Sequence, residues 1–195
     1  MNRIFYLMGK SASGKDTIYE WLLGNRKLAL ERIVLYTTRP IRQGECEGIE
    51  YYFTDEAKFY DLRARGRVIE SRSYRTVHGV WTYFTADDGQ IDLESHAYLG
   101  IGTLESFARL KGHFGRERVV PLYVEVEDGE RLTRALLREK RQPYPRYAEM
   151  CRRFLADEED FSEEKLRRAG ITRRFSNQNL EECLAEIEKA IYNRI

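Results

Sequence analysis

Gly9-Lys10-Ser11-Ala12-Ser13-Gly14-Lys15-Asp16-Thr17 is the stretch whose reading decides the fold. An apolar run, Ile4-Phe5-Tyr6-Leu7-Met8, precedes it; Ile18, Trp21 and Leu22 follow at helical spacing. Gly-x-x-x-x-Gly-Lys between a strand and a helix is the pattern of a phosphate-cradling loop. Glycine allows backbone angles and close approaches that a Cβ forbids. Successive N–H groups then converge on phosphate oxygens, and the helix that follows adds its positive end. Gly9, Ser11, Ala12, Ser13, Gly14, Lys15, Asp16 and Thr17 are therefore expected to bind phosphate, with Lys15 supplying a full charge where β- and γ-phosphates lie. The residue after the lysine is usually Ser or Thr, whose hydroxyl reaches Mg²⁺. Here it is Asp16, and the hydroxyl comes one place later at Thr17, so both are candidate metal ligands.

Working outward, 195 residues with 42% hydrophobic composition suit one globular unit. Charged residues reach 33% but nearly cancel at net +1, which gives no footprint for a nucleic-acid polymer. Cys46, Cys151 and Cys183 are widely spaced and form no metal-ligand pair, and His78, His96 and His113 show no ligand spacing. Reduced thiols, no signal peptide and no long apolar run lead to the expectation of a cytoplasmic protein that does not engage a membrane.

The rest of the chain alternates strand-like and helix-like segments. Ile33-Val34-Leu35 reads as a short strand. Asp55 reads as the N-cap of a short helix that Gly66 stops. His78-Gly79 marks a turn before the strand-like Val80-Trp81-Thr82-Tyr83-Phe84. His96–Gly102 and Val119–Val124 read as core strands, the second limited by Pro121. Asp128 is expected to cap a helix carrying Leu132, Leu136 and Leu137. Residues 146–168 read as one charged helix, 171–175 as a poor strand, and Leu180, Leu184, Ile187 and Ile191 as the face of a last helix. Alternation of this kind predicts a parallel sheet with helices on both faces, an α/β fold of P-loop NTPase type.

Thr37-Thr38-Arg39-Pro40-Ile41-Arg42-x-Gly44-Glu45-x-x-Gly48-x-x-Tyr51-x-Phe53 resembles the acceptor-binding region of the guanylate kinase family. Glu70 sits where that family places a glutamate, and the His78-Gly79 turn with its aromatics is similar to the family's aromatic turn. The resemblance implies a kinase that uses ATP and Mg²⁺ on small-molecule nucleotide substrates. It implies a core of residues 1–34, 96–137 and 169–195, an acceptor-binding insert over 35–95 and a helical lid over 138–168. It implies that Arg39, Arg42 and Tyr51 grip the acceptor phosphate and that Glu70 reads the base. Thr82 and Tyr83 are the two candidates for the family's tyrosine position. Asn177 would stand near adenine, and Arg138, Arg141 and Arg153 would be the lid arginines. Two guanidinium forks and a phenol suit a dianion. An acceptor phosphate is already ionised near neutral pH, so no general base is required.

Three positions depart from the family's pattern. Gly100-Ile101-Gly102 stands where the family carries Asp-x-Asp, and Leu35 where it carries serine. The phosphate half of the acceptor site is kept while the base half is thinned. GMP is the first expectation as acceptor. Ribose 1,5-bisphosphokinases resemble the chain in Gly14-Lys15-Asp16 and in lacking the paired aspartates, which keeps another phosphorylated small molecule open. A non-catalytic binding module is the remaining reading; Lys15, which such modules typically lose, ranks it last.

Overall fold

Five consecutive apolar residues make strand β1 (Ile4–Met8), and all five are buried. Only an interior strand of a sheet covered on both faces buries both sides of its pleat. The computed structural model describes residues 2–76 and 79–194 and places β1 in that position. After β1 come α1 (Lys15–Gly24), β2 (Leu30–Arg32), β3 (Tyr36–Thr37), β4 (Tyr52–Phe53), α2 (Glu56–Ala64), β5 (Val68–Thr76), β6 (Gly79–Ala86) and β7 (Ala97–Ile101). They are followed by α3 (Leu104–Phe114), β8 (Val119–Glu125), α4 (Asp128–Lys140), α5 (Tyr147–Asp160), α6 (Glu163–Ala169), β9 (Arg174–Ser176) and α7 (Leu180–Tyr192).

Among the described residues the main sheet runs β2-β7-β1-β8-β9, and each of its pairings is parallel. The period of two along β1 divides the core. Phe5 and Leu7 pack with Ile18 and Leu22 of α1 and with Leu184, Ile187 and Ile191 of α7. Ile4, Tyr6 and Met8 pack on the other face with Phe107 and Leu110 of α3, Leu166 of α6, and Phe161. Burying each such side chain contributes about 1.5–3 kcal/mol. The smaller sheet, β4-β3-β6-β5, is mixed and has its own cluster around Phe59, Phe84 and Ala86. Asp55 caps α2 by accepting from the Lys58 amide at 2.7 Å.

The doubly covered parallel sheet agrees with the alternation in the sequence. Several local readings do not. The ladder near residue 33 lies three residues earlier, over β2, while Ile33 and Val34 are buried as the chain crosses from the main sheet toward the small one. In α1 it is Tyr19, not Trp21, that turns inward. Glu127 rather than Asp128 caps α4, accepting from the Glu130 amide at 3.0 Å. The stretch 146–168 is two helices, because buried Phe161 turns toward Tyr123 and ends α5 before Ser162 starts α6. Pro121 lies inside β8 without breaking it, since β9 pairs only with Tyr123–Glu125. His78 lies outside the described residues.

Candidate active site

The carboxyl ends of β1, β7, β8 and β9 share one edge of the main sheet, where ligands of open α/β sheets bind. The loop after β1 is shaped by two close approaches. A Cβ on Gly9 would stand 2.6 Å from the Val124 carbonyl oxygen and 2.8 Å from Ser13 Oγ. Gly14 sits at φ +84°, the left-handed region, with the Asn177 amide against it. Ala12 is held at φ +63°, a conformation that stores strain in a non-glycine residue. Gly14 heads α1 without a side-chain cap, so the first-turn amides stay open to an anion. Ser13 Oγ is buried and has no hydrogen-bond partner among the described residues. Lys15 begins the helix, its Nζ 3.6 Å from Asp16 Oδ2; Asp16 is 78% exposed and Thr17 is exposed beside it. Open amides, an orphaned hydroxyl and a lysine fit the phosphates of a nucleotide.

Asn177 is the brace of this loop. Its amide nitrogen donates to the Ser13 carbonyl at 2.8 Å, its backbone N–H to the Glu125 carbonyl at 2.8 Å, and its own carbonyl accepts from Arg134 at 3.1 Å. The residue is buried directly behind the phosphate loop.

A second clamp comes from α4 and α5. Arg131 is 1% exposed. It donates to Asp128 Oδ1 at 2.8 Å, to Glu158 Oε1 at 2.5 Å and to the Ser11 carbonyl at 3.2 Å, and its guanidinium lies 4.5 Å from the Phe154 ring centroid. Lys10 Nζ donates to both oxygens of Glu158, at 2.8 and 2.7 Å. Asp157 accepts from the Ser11 amide at 2.7 Å. Burial works against charge on Asp128, but the Arg131 hydrogen bond and the Lys10 charge outweigh it and hold that carboxyl below its usual range. Sequence reasoning missed this cluster. Lys10 occupies a free position of the loop motif, and its partners lie more than a hundred residues away.

Beside the small sheet, the motif Arg39–Phe53 folds into a cation-and-aromatic box. Arg39 is 3% exposed; its fork donates to both oxygens of Glu45, at 2.7 and 2.5 Å, and stacks 5.0 Å from Tyr51 and 5.4 Å from Phe53. That hydrogen bond, helped by the Arg42 amide, pulls the Glu45 carboxyl down to about 2 despite its partial desolvation. The Arg42 guanidinium reaches out over Trp81 at 5.9 Å. Tyr51 and Tyr83 meet edge to face at 5.5 Å, and burial pushes the Tyr51 phenol up. Tyr51, Arg72, Tyr74, Trp81 and Tyr83 line a cavity of about 300 Å³. Arg39, Arg42, Tyr51 and Tyr83 are thus brought together.

Glu70 and Thr82 face a different environment. Glu70 is 5% exposed; it accepts from Thr85 Oγ1 at 2.9 Å and from Ser106 Oγ at 3.1 Å, with Arg72 Nε 3.6 Å away. Thr82 Oγ1 pairs with Ser73 Oγ at 2.8 Å. The glycines that replace the paired aspartates have a physical partner, Tyr6, which stands opposite Gly100 in the β1–β7 register. A Cβ on Gly100 would meet the Tyr6 ring at 2.6 and 2.8 Å; one on Gly102 would meet its hydroxyl closer still. Burial holds the Tyr6 phenol well above its usual range, against a hydrogen bond to Ser106.

The side chains of Arg138, Arg141 and Arg153 are exposed and, among the described residues, make no hydrogen bond or ion pair, whereas Arg152 is spent on Glu149 at 2.7 Å. None of these three candidates is drawn to the loop. Arg153 lies one turn before Asp157 on α5, hence on the helix face that meets Ser11.

Residues 1–83 match the family model described as guanylate kinase. Among curated proteins, the guanylate kinase of Anaplasma phagocytophilum (strain HZ) is 32% identical over 139 residues, 68% of this chain and 62% of the relative. That of Nitrosomonas europaea is 38% identical over 79 residues, 40% of this chain and 37% of the relative. In these alignments the chain spans less than two thirds of the length of either relative. A crystal structure of guanylate kinase from Anaplasma phagocytophilum superposes with TM-score 0.63 at 23% identity, covering 98% of this chain and 85% of that one. The likeness of fold runs the length of the chain, while the family-model match is confined to the half that carries the phosphate loop and the Arg39–Phe53 box.

Proposed function

We propose that this chain, a relative of the guanylate kinases, transfers the terminal phosphoryl group of ATP to the phosphate of GMP, giving ADP and GDP. The observation that carries the reading is the uncapped, strained loop Gly9–Gly14 leading into Lys15. It is supported by the box of Arg39, Arg42, Tyr51 and Tyr83. In the step, an ionised oxygen of the acceptor phosphate attacks the γ-phosphorus, and the bond to the β-bridging oxygen breaks. The acceptor is already deprotonated, so the protein supplies position and charge rather than a base. The loop amides and Lys15 hold the donor phosphates. Asp16 and Thr17, on the first turn of α1, are the residues that would face a bound Mg²⁺, which neutralises phosphate charge when present. Arg138, Arg141 and Arg153 would complete the charge around the transferring group on closure. The division into core, acceptor insert over 35–95 and lid over 138–168 belongs to this reading, as does a cytoplasmic setting, consistent with three free cysteines.

A phosphorylated sugar is the second reading, favoured by the inward-turned Glu70 and by Tyr6 filling the space beside Gly100 and Gly102. The test is to incubate the protein with ATP, Mg²⁺ and a panel of nucleoside monophosphates and ribose 1,5-bisphosphate, and to separate the products. GDP and ADP formed in equal amounts is the expected result. ATP cleavage that no acceptor stimulates, or none at all, overturns the proposal.

A further inference from the structure

Tyr6 is a polar aromatic residue in a strand that is otherwise aliphatic, phenylalanine or methionine, and its phenol points along the strand toward the ligand edge of the sheet. Gly100 and Gly102 leave a hole that the phenol fills; a side chain at either glycine and the ring of Tyr6 exclude one another. The three residues form one packing unit spanning β1 and the end of β7.

The unit reaches the acceptor side through hydroxyls. Ser106, capped into α3 by Thr103, donates to Glu70 Oε2, and Thr85 donates to Oε1. The Glu70 carboxylate is thereby turned into the protein. Thr82 spends its hydroxyl on Ser73. Beside the Arg39 box lies the 300 Å³ cavity, lined by the aromatic rings of Tyr51, Tyr74, Trp81 and Tyr83 and by Arg72. Aromatic faces hold any flat base, because every base has a π-face. Hydrogen bonds from a base to a buried carboxylate, by contrast, discriminate between bases strongly.

We propose that Tyr6 determines acceptor selectivity by closing the hydrogen-bonding end of the acceptor pocket, so that the acceptor is a phosphate monoester held by its phosphate and by stacking, with the identity of its purine read weakly. This rests on the phosphotransferase reading above for the location of the acceptor. The test measures binding rather than turnover. Calorimetry with GMP, AMP and ribose 5-phosphate is run on the wild type, Tyr6→Phe, Tyr6→Val and Trp81→Ala, each checked for fold by circular dichroism.

Wild type and Tyr6→Phe, which keeps the volume, should bind GMP and AMP within about tenfold of each other. Tyr6→Val opens space beside Ser106 and Glu70 and should raise the preference for GMP by about tenfold or more. Trp81→Ala should weaken both nucleotides by about tenfold while sparing ribose 5-phosphate. A wild-type preference for GMP beyond about a hundredfold overturns the proposal. So does a folded Tyr6→Val protein with an unchanged ratio, or a wild type that binds none of the three. If Tyr6→Val does not fold, the wild-type ratio and Trp81→Ala still decide. Acceptors that bind as described without any phosphoryl transfer from ATP sink the kinase reading and leave this assignment standing.

Discussion

Glu45 shows what one side chain decides. It takes both ends of the Arg39 fork and the Arg42 amide, and so fixes the two arginines relative to each other. Its carboxyl is pulled from the ordinary value of 4.5 down to about 2 in the folded protein. A depressed carboxyl contributes stability that is complete above the unfolded value and is lost as pH falls through the folded one. The box should therefore loosen between about pH 4.5 and 2, read by Trp81 emission in a Trp21→Phe background. Glu45→Gln should remove that acid-dependent phase, and an unchanged acid profile would assign the transition elsewhere. Gly100 tests the opposite kind of effect, since a methyl there meets the Tyr6 ring in a closed core. Gly100→Ala should cost about 1–3 kcal/mol in urea unfolding, with most of the loss recovered in the Tyr6→Val background. A silent single mutant would show that the ring moves freely. At this scale the loop residues were nameable because their spacing is itself a backbone requirement, and Arg39, Arg42 and Tyr51 because their motif resembles a known family's. Tyr6 was not, since a strand pattern records only that a position is apolar and cannot say which hole it fills.

α5 is an element with no buried residue, so burial does not hold it in place. Phe154 against Arg131 and the contacts of Asp157 and Glu158 with Ser11, Lys10 and Arg131 hold it instead. Asp157→Asn weakens the link to the loop while leaving the helix itself unstrained. Amide exchange in α5 should then rise by about tenfold with β1 unchanged; equal protection in both proteins would show that the contact carries no energy. Arg131→Met should be far more costly, about 2–4 kcal/mol of global stability, because it leaves carboxylates without their shared partner, partly relieved by solvent at Asp128 and Glu158. Element positions were readable where a cap stood out, as at α2, or where the apolar spacing was regular, as at α7. They were misread at Phe161 and at Ile33, where a residue turns into the core and tertiary packing overrides a local pattern.

The molecule as a whole has unequal halves. The main sheet is covered on both faces by two large clusters, while the small sheet rests on Phe59, Phe84 and Ala86 with a few half-buried neighbours. Regions with little buried apolar surface open more readily. Amides of β5 and β6 should exchange faster than those of β1, β7 and β8, and identical rates would mean that the two sheets open as one unit. The fold class was legible from strand–helix alternation, and the grouping of Arg39, Arg42 and Tyr51 from one motif. The charge clamp was not, because it assembles Lys10, Arg131 and Glu158 from three distant stretches. The brace at Asn177 has the same long reach, since it ties Ser13 to a residue 164 positions later. A growing chain on the ribosome therefore carries the whole glycine-lysine loop long before it carries the group that holds the loop's shape. Nascent chains halted before Asn177 should not retain nucleotide, and retention by such a truncated chain would show that the loop holds its shape without this brace.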